Sequence, residues 1–370
     1  MNKNFTKNDT LAVKGIAIIA MLFHHCYTSK TDLNAYMISY APFAKETVLR
    51  MSLWSKVCVG MFVFLSAYGI TLSLKKIYPK KDEKTKYIAF QTKRRIWRIL
   101  SGFWPVYLFV TAGSLIWARD SFQVYKGGFS RYIYVLLDLL GLSDLMGTPQ
   151  FIGTWWYLGL ALTEVLMLPV LYWFYTQYGA FILIGISYIL PVMTGVDMTD
   201  FLRWLPAMTL GIWFADRNLL AEIKEYTIPH TKLGVTRVIE ALILLILLFF
   251  AYKLRFSDFG KNHMEIVDSI TPLIVILITY IFLCDLLVIT KFLQLLGRHS
   301  MNIFLFHNFI RGRWFEGFSY SFRYWWLITL VLILDCLVIS IVLEKVKALL
   351  CYERFTSWVE DKIKMPAVNS

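Results

Sequence analysis

Residues 11–27 read LAVKGIAIIAMLFHHCY. The run is apolar enough to enter a bilayer, yet Lys14 stands near its start and the pair His24-His25 near its end. Ionisable groups in a bilayer-length helix are costly to bury, so they mark a functional site by default. From Lys14 to His25 is ~11 residues, about 1100° of helical rotation, which returns to within roughly 20° of the starting face. The two side chains then share one stripe, ~16 Å apart along the axis. His24 points about 80° away from that stripe. Of the two histidines, His25 is the one placed to work with Lys14.

The rest of the chain repeats the apolar theme. Of 370 residues, 58% are hydrophobic, 17% aromatic and only 17% charged, a balance that a soluble domain of this length does not show. Apolar runs of about 20 residues, broken by short basic segments, indicate a polytopic all-α membrane bundle. The net charge of +13 sits in alternate loops, which is a topology signal; nucleic acid is not an expected partner, and membrane lipid is. The five cysteines are scattered and mostly inside apolar runs, so neither a disulfide framework nor a metal site is expected. Lys14 and the histidines interrupt the first run and no small-residue cleavage site follows, so it is expected to stay as a first helix.

Hydropathy places about ten spans. They fall near 11–28, 57–75, 97–117, 154–176, 179–195, 201–216, 236–254, 267–290, 292–311 and 325–348. Arg131–Leu142 is apolar but short and holds Asp138, which suits an interfacial or re-entrant helix. The segment between the second and third spans carries Lys75, Lys76, Lys80, Lys81, Lys84, Lys86, Lys93, Arg94, Arg95 and Arg98 against Asp82 and Glu83. It is expected to be cytoplasmic, together with both chain ends. One membrane domain covering 1–370 is expected, with tails at about 1–10 and 350–370.

Several polar residues interrupt these spans. A histidine can take a proton from a hydroxyl and return one to a leaving group, which makes His25 a candidate base. Ser66 and Tyr68 break the aromatic run VGMFVFLSAYGITL, where Gly60 and Gly69 also permit close helix packing. Arg94, Arg95 and Arg98 gather at the mouth of the third span, a pattern that serves either lipid anchoring or a phosphate clamp. Trp156 and Glu164 lie in TWWYLGLALTEVLMLP, and His307 ends LGRHSMNIFLFH. Asp285 and Asp335 read as lying inside spans. An intramembrane carboxylate such as Glu164 needs a partner, with Lys14 or a histidine available.

Five of these stretches, in order, resemble the acyltransferase 3 family of integral membrane acyltransferases: KGIAIIAMLFHH, FVFLSAYGI, KRRIWRILSGFWPVY, WWYL and LGRHSMNIFLFH. The resemblance implies transfer of an acyl group, usually acetyl from cytosolic acetyl-CoA, to a hydroxyl of a sugar or polysaccharide on the outer side. It implies that Lys14 and His25 form the functional pair on the first helix, although the family commonly has arginine at the position of Lys14. Lysine keeps the charge and loses the bidentate fork. The resemblance also assigns the Arg-x-x-Arg pattern, here Arg95 and Arg98, to the acyl-donor side. Ser66-Ala67-Tyr68 departs mildly from the family's second-helix pattern.

The expectation is therefore a cytoplasmic-membrane O-acetyltransferase with no permanently bound cofactor, acyl-CoA as donor and a carbohydrate as acceptor. His25 would be general base or transient acyl carrier, Lys14 would line the donor path, and Arg95 with Arg98 would hold the donor phosphates. His24, Ser66, Tyr68, Trp156, Glu164 and His307 would line the pocket. The rival expectation is a transporter or flippase for a glycan or small solute, with the buried acids and histidines as coupling sites.

Overall fold

The structure, a computed structural model, describes residues 4–28, 31–77, 84–118, 123–195 and 201–363. Among them the regular structure is helical, and the single pairing of extended backbone is an isolated bridge between Ser39 and Tyr324. In chain order the helices are α1 (Lys7–Thr28), α2 (Lys45–Trp54), α3 (Val57–Ile77), α4 (Lys84–Gly113), α5 (Ser130–Leu139) and α6 (Trp156–Tyr178). They continue with α7 (Ala180–Thr194), α8 (Phe201–Arg217), α9 (Leu219–Glu225), α10 (Leu233–Phe256), α11 (Asp258–Asn262) and α12 (Met264–Ile278). The last are α13 (Leu287–Arg298), α14 (Ser300–Phe309), α15 (Glu316–Tyr320), α16 (Trp325–Leu349) and α17 (Tyr352–Lys362).

Among the described residues, seven helical stretches are long and apolar enough to cross a membrane, and α7 is a shorter apolar helix. The expected sixth span is the 17-residue α8, and the expected ninth is divided between α13 and α14 at His299. The expected eighth span also ends early. A π-helical turn at Thr279–Leu283 closes α12, and Asp285 lies outside both helices, 62% exposed and paired with Lys224 at 2.7 Å. The reading of Asp285 as an intramembrane acid is corrected on that ground. Asp335 does lie inside α16.

The chain forms two compact units that interleave in sequence. The first comprises Met1–Ala20, Trp54–Lys76 and Met167–Arg298; the second comprises Met21–Leu53, Ile77–Leu166 and His299–Ser370. Helix α1 contributes its first part to one and its last part to the other.

Within the first unit, backbones approach closely where side chains vanish. A Cβ on Gly15 of α1 would strike the backbone of Leu293 in α13, and a Cβ on Gly297 of α13 would strike the backbone of Leu11. These reciprocal glycines let two helices cross at a spacing that alanine forbids. Asp268 of α12 is nearly sealed from solvent, yet both of its oxygens are used. Arg203 of α8 reaches Oδ2 at 2.6 and 3.1 Å, and Arg255 of α10 reaches Oδ1 at 3.1 Å. The triad clasps three helices. On the opposite sign of polarity, α10 presents Leu242, Leu245, Ile246, Phe249 and Phe250 outward, as a lipid-facing helix must.

In the second unit, α14 packs on α4 and α16. Trp155, buried just before α6, donates its indole N–H to the Leu305 carbonyl at 2.9 Å and stacks edge-on to Phe103. The short α5 carries buried Asp138, which accepts from Phe151 N at 2.8 Å and from the Tyr125 hydroxyl. Burial pushes the Asp138 carboxyl above its usual range, and burial followed by the adjoining Asp138 charge pushes the Tyr125 phenol up. Asn302 of α14 donates to Ser340 and Glu344 of α16 at 3.0 and 2.7 Å. These bonds lock the register of the helix that carries His307.

Candidate active site

The last turns of α1 present His24 and His25 within the second unit, where α14 supplies His307. The three imidazoles form a row. Ring centroids lie 5.0 Å apart between His24 and His25, and 4.8 Å apart between His25 and His307. His25, the residue singled out by its helical face, is the central member.

The partners of the outer two settle their tautomers. His307 is fully buried, and its Nδ1 lies 2.8 Å from the Phe304 carbonyl and 3.1 Å from that of Ile303. Carbonyl oxygens only accept, so Nδ1 carries the proton and Nε2 is a bare lone pair. No described residue hydrogen-bonds that Nε2. His24 Nδ1 is likewise 2.8 Å from the Ser52 carbonyl and must be the protonated nitrogen. Ser52 Oγ returns a bond to the His24 carbonyl at 3.1 Å, fixing α2 to this turn of α1. Neither ring nitrogen of His25 is tied to a carbonyl, a carboxylate or a hydroxyl of any described residue. Each flanking histidine has its Nδ1 held by a backbone carbonyl, whereas His25 has neither ring nitrogen held.

Arg311 completes this polar group. It lies in the π-helical turn Ile310–Trp314 that follows α14, 5% exposed and within electrostatic reach of both His25 and His307. Its Nη1 donates to Tyr320 Oη at 2.9 Å and to Thr31 Oγ1 at 3.2 Å, and its Nη2 to Asn308 Oδ1 at 3.0 Å. Tyr320 passes the connection on, donating to the Cys26 carbonyl at 2.7 Å. A buried guanidinium beside imidazoles is a fixed positive field, which favours negative charge developing on a substrate oxygen. Sequence reading passed over Arg311, although its place four residues after His307 puts both on one helical face. π-Helical turns often mark functional positions, and this one is invisible in sequence.

The other predicted residues divide between the units. Glu164 is fully buried in α6, and Trp156 is half-buried at the same helix's start, stacked edge-on to Tyr157. It is the preceding Trp155 that bonds α14 directly. Arg95 is half-buried in α4, one residue from Arg94 and three from Arg98. Arg94 and Arg98 converge on Glu360 of α17 at 2.9 and 2.6 Å. That acceptor, distant in sequence, was not foreseen. Their guanidinium groups, Arg98 first, hold the Glu360 carboxyl at about 2, well below its usual range.

Lys14, Ser66 and Tyr68 belong to the first unit. Lys14 is half-buried, and its amine makes no hydrogen bond or ion pair with any described residue. Tyr68 is buried edge-on against Phe5 at 5.4 Å, and Phe5 in turn packs on Tyr280. This is aromatic core packing, and Ser66 sits half-buried two residues before it.

A family model described as an acyltransferase domain matches residues 12–345 of the chain, which takes in every element just described except α17 and part of α1 and α16. No curated protein and no solved structure gives a significant match.

Proposed function

Since the chain belongs to the acyltransferase 3 family and is a membrane acyltransferase, we propose that it moves an acetyl group from acetyl-CoA to a sugar hydroxyl. The observation that carries this reading is His25, flanked by two imidazoles of fixed tautomer and itself without a hydrogen-bond partner among the described residues.

A nitrogen lone pair of His25 takes the proton of the acceptor hydroxyl while its oxygen attacks the thioester carbonyl. The carbonyl oxygen gathers negative charge beside Arg311. The carbon–sulfur bond then breaks, and the coenzyme A thiolate takes the proton from His25, which closes the cycle. His307, its ring centroid 4.8 Å from that of His25 and its Nε2 lone pair not engaged by any described residue, supplies an acceptor beside the imidazolium as it forms. In the variant route, His25 attacks the thioester itself and coenzyme A leaves as its thiolate; the hydroxyl then displaces the acetyl from the ring nitrogen, its proton passing to the thiolate. Lys14 lines the donor path, Arg95 and Arg98 grip coenzyme A phosphates, and Trp156 and Glu164 serve the pocket. The basic loops support an orientation with both chain ends on the cytoplasmic side; in this reading the protein works in the cytoplasmic membrane and delivers acetyl to an envelope or exported polysaccharide.

The test is acetyl transfer from labelled acetyl-CoA in membranes, with mass spectrometry of surface glycans from cells with and without the protein. Protein-dependent acetyl ester on a sugar is the expected result. Transport of a glycan without any acyl-CoA requirement would instead favour the transporter reading.

A further inference from the structure

An anion is already seated on the arginines of α4. Glu360 Oε2 accepts from Arg94 Nε at 2.9 Å and from Arg98 Nη2 at 3.0 Å, while Oε1 accepts from Arg98 Nε at 2.6 Å. Arg98 thus presents the forked edge that a guanidinium offers to carboxylate and phosphate alike. One fork holds one anion.

The helix that brings Glu360 there is weakly held. None of the residues of α17 is buried, so apolar burial does not fix it to the bundle. Among the described residues its ties to α4 also include the Trp97 indole donating to the Thr356 carbonyl at 3.2 Å, the Tyr352 hydroxyl donating to the Ser101 carbonyl at 2.8 Å, and an edge contact of Trp97 with Phe355. Elements held by a few solvent-accessible polar contacts open locally at low cost. The chain also enters α17 through Cys351 in a left-handed conformation, a joint between α16 and this helix. The family match ends at residue 345, so α17 adds an acid to an arginine cluster that lies inside the matched region.

We propose that Glu360 is an internal competitor of the acyl donor: its carboxylate takes the place of a coenzyme A phosphate on Arg94 and Arg98, and α17 must give it up before the donor is gripped. The proposal rests on the reading that Arg98, together with Arg95, holds donor phosphates, and extends it to the neighbouring Arg94. Two consequences follow from linkage. The fraction of molecules with Glu360 seated lowers the apparent donor affinity in proportion. Reciprocally, donor binding releases the C-terminal helix, so donor occupancy is reported at a surface element remote in sequence from the histidines.

The experiment measures binding of coenzyme A to the full-length protein in detergent, for wild type, Glu360→Gln and the double variant Arg95→Ala/Arg98→Ala. Removing the carboxylate is expected to tighten binding about two- to five-fold, the scale of a half-exposed ion-pair network. In parallel, hydrogen exchange of residues 352–362 in the wild type is expected to speed up when coenzyme A is added, a readout independent of any variant's folding. Glu360→Gln binding coenzyme A no better than wild type, or helix protection unchanged by coenzyme A, overturns the competition. If the double arginine variant binds coenzyme A as tightly as wild type, the donor-clamp reading is what has failed.

Discussion

Two buried polar groups, Asp268 with its arginines in the first unit and the histidine row in the second, are built on opposite plans. In the first, Asp268 spends both oxygens on Arg203 and Arg255, and the three groups answer one another. In the second, His24 and His307 spend one nitrogen each on backbone carbonyls, while His307 Nε2 and the whole His25 ring are left unanswered by the described residues. Buried polar groups are normally satisfied, because an unmet donor or acceptor costs about 1–3 kcal/mol. The saturated triad therefore reads as a clasp and the unsaturated row as a place for substrate. Charge alone would have ranked them the other way.

The largest expected effect falls on the clasp. Replacing Asp268 by Ala leaves two buried guanidinium groups without their shared anion, which typically costs about 3–5 kcal/mol. Thermal unfolding in detergent would show it as a marked loss of midpoint, while the specific activity of the protein that remains folded stays near wild type. A fall in specific activity with unchanged stability would reverse the assignment of the two clusters. Next comes His307→Phe, which keeps a ring in the cavity and removes the lone pair. Turnover is expected to drop about a hundred-fold with donor affinity unchanged, the lower end of the range for a proton-handling group. Wild-type turnover in that variant would make the unanswered nitrogen mere packing.

A smaller change is expected from Tyr320→Phe, which removes the bond to the Cys26 carbonyl and the acceptor for Arg311. A stability loss of about 1–2 kcal/mol, measured by denaturation, is the size of one buried hydrogen bond left half-made. The smallest effect concerns pH. The arginines depress the Glu360 carboxyl to about 2 from an ordinary 4.5. A depressed carboxylate contributes stability above its unfolded value and loses it as pH falls through the folded one. The α17 contact should therefore persist at pH 4 and fade near pH 2, followed by hydrogen exchange of residues 352–362. Release already complete at pH 4.5 would show that the ion pair does not hold the helix.

Much of this fold is legible in the sequence because apolar length is a local property. The span expected at 325–348 is α16 (Trp325–Leu349), and the one expected at 154–176 falls on α6 (Trp156–Tyr178). Helical periodicity alone also separates His25 from His24, since only His25 falls on the stripe of Lys14. Polar partnerships are not legible, since they join residues far apart in the chain: Arg203 and Asp268 are separated by 65 positions, Arg98 and Glu360 by 262. Asp285 was misplaced because hydropathy ran across a break that a π-helical turn creates. The Trp155-Trp156 pair shows the same limit at close range, as composition makes the two alike and does not reveal that the Trp155 indole bonds α14.

The central claim is that His25 does the chemistry. Membranes containing equal amounts of folded wild type and His25→Ala, given labelled acetyl-CoA, test it directly through the rate of acetyl ester formation. A loss of about a hundred-fold or more, with coenzyme A binding intact, is the predicted result. Undiminished transfer by the His25→Ala protein would contradict the account.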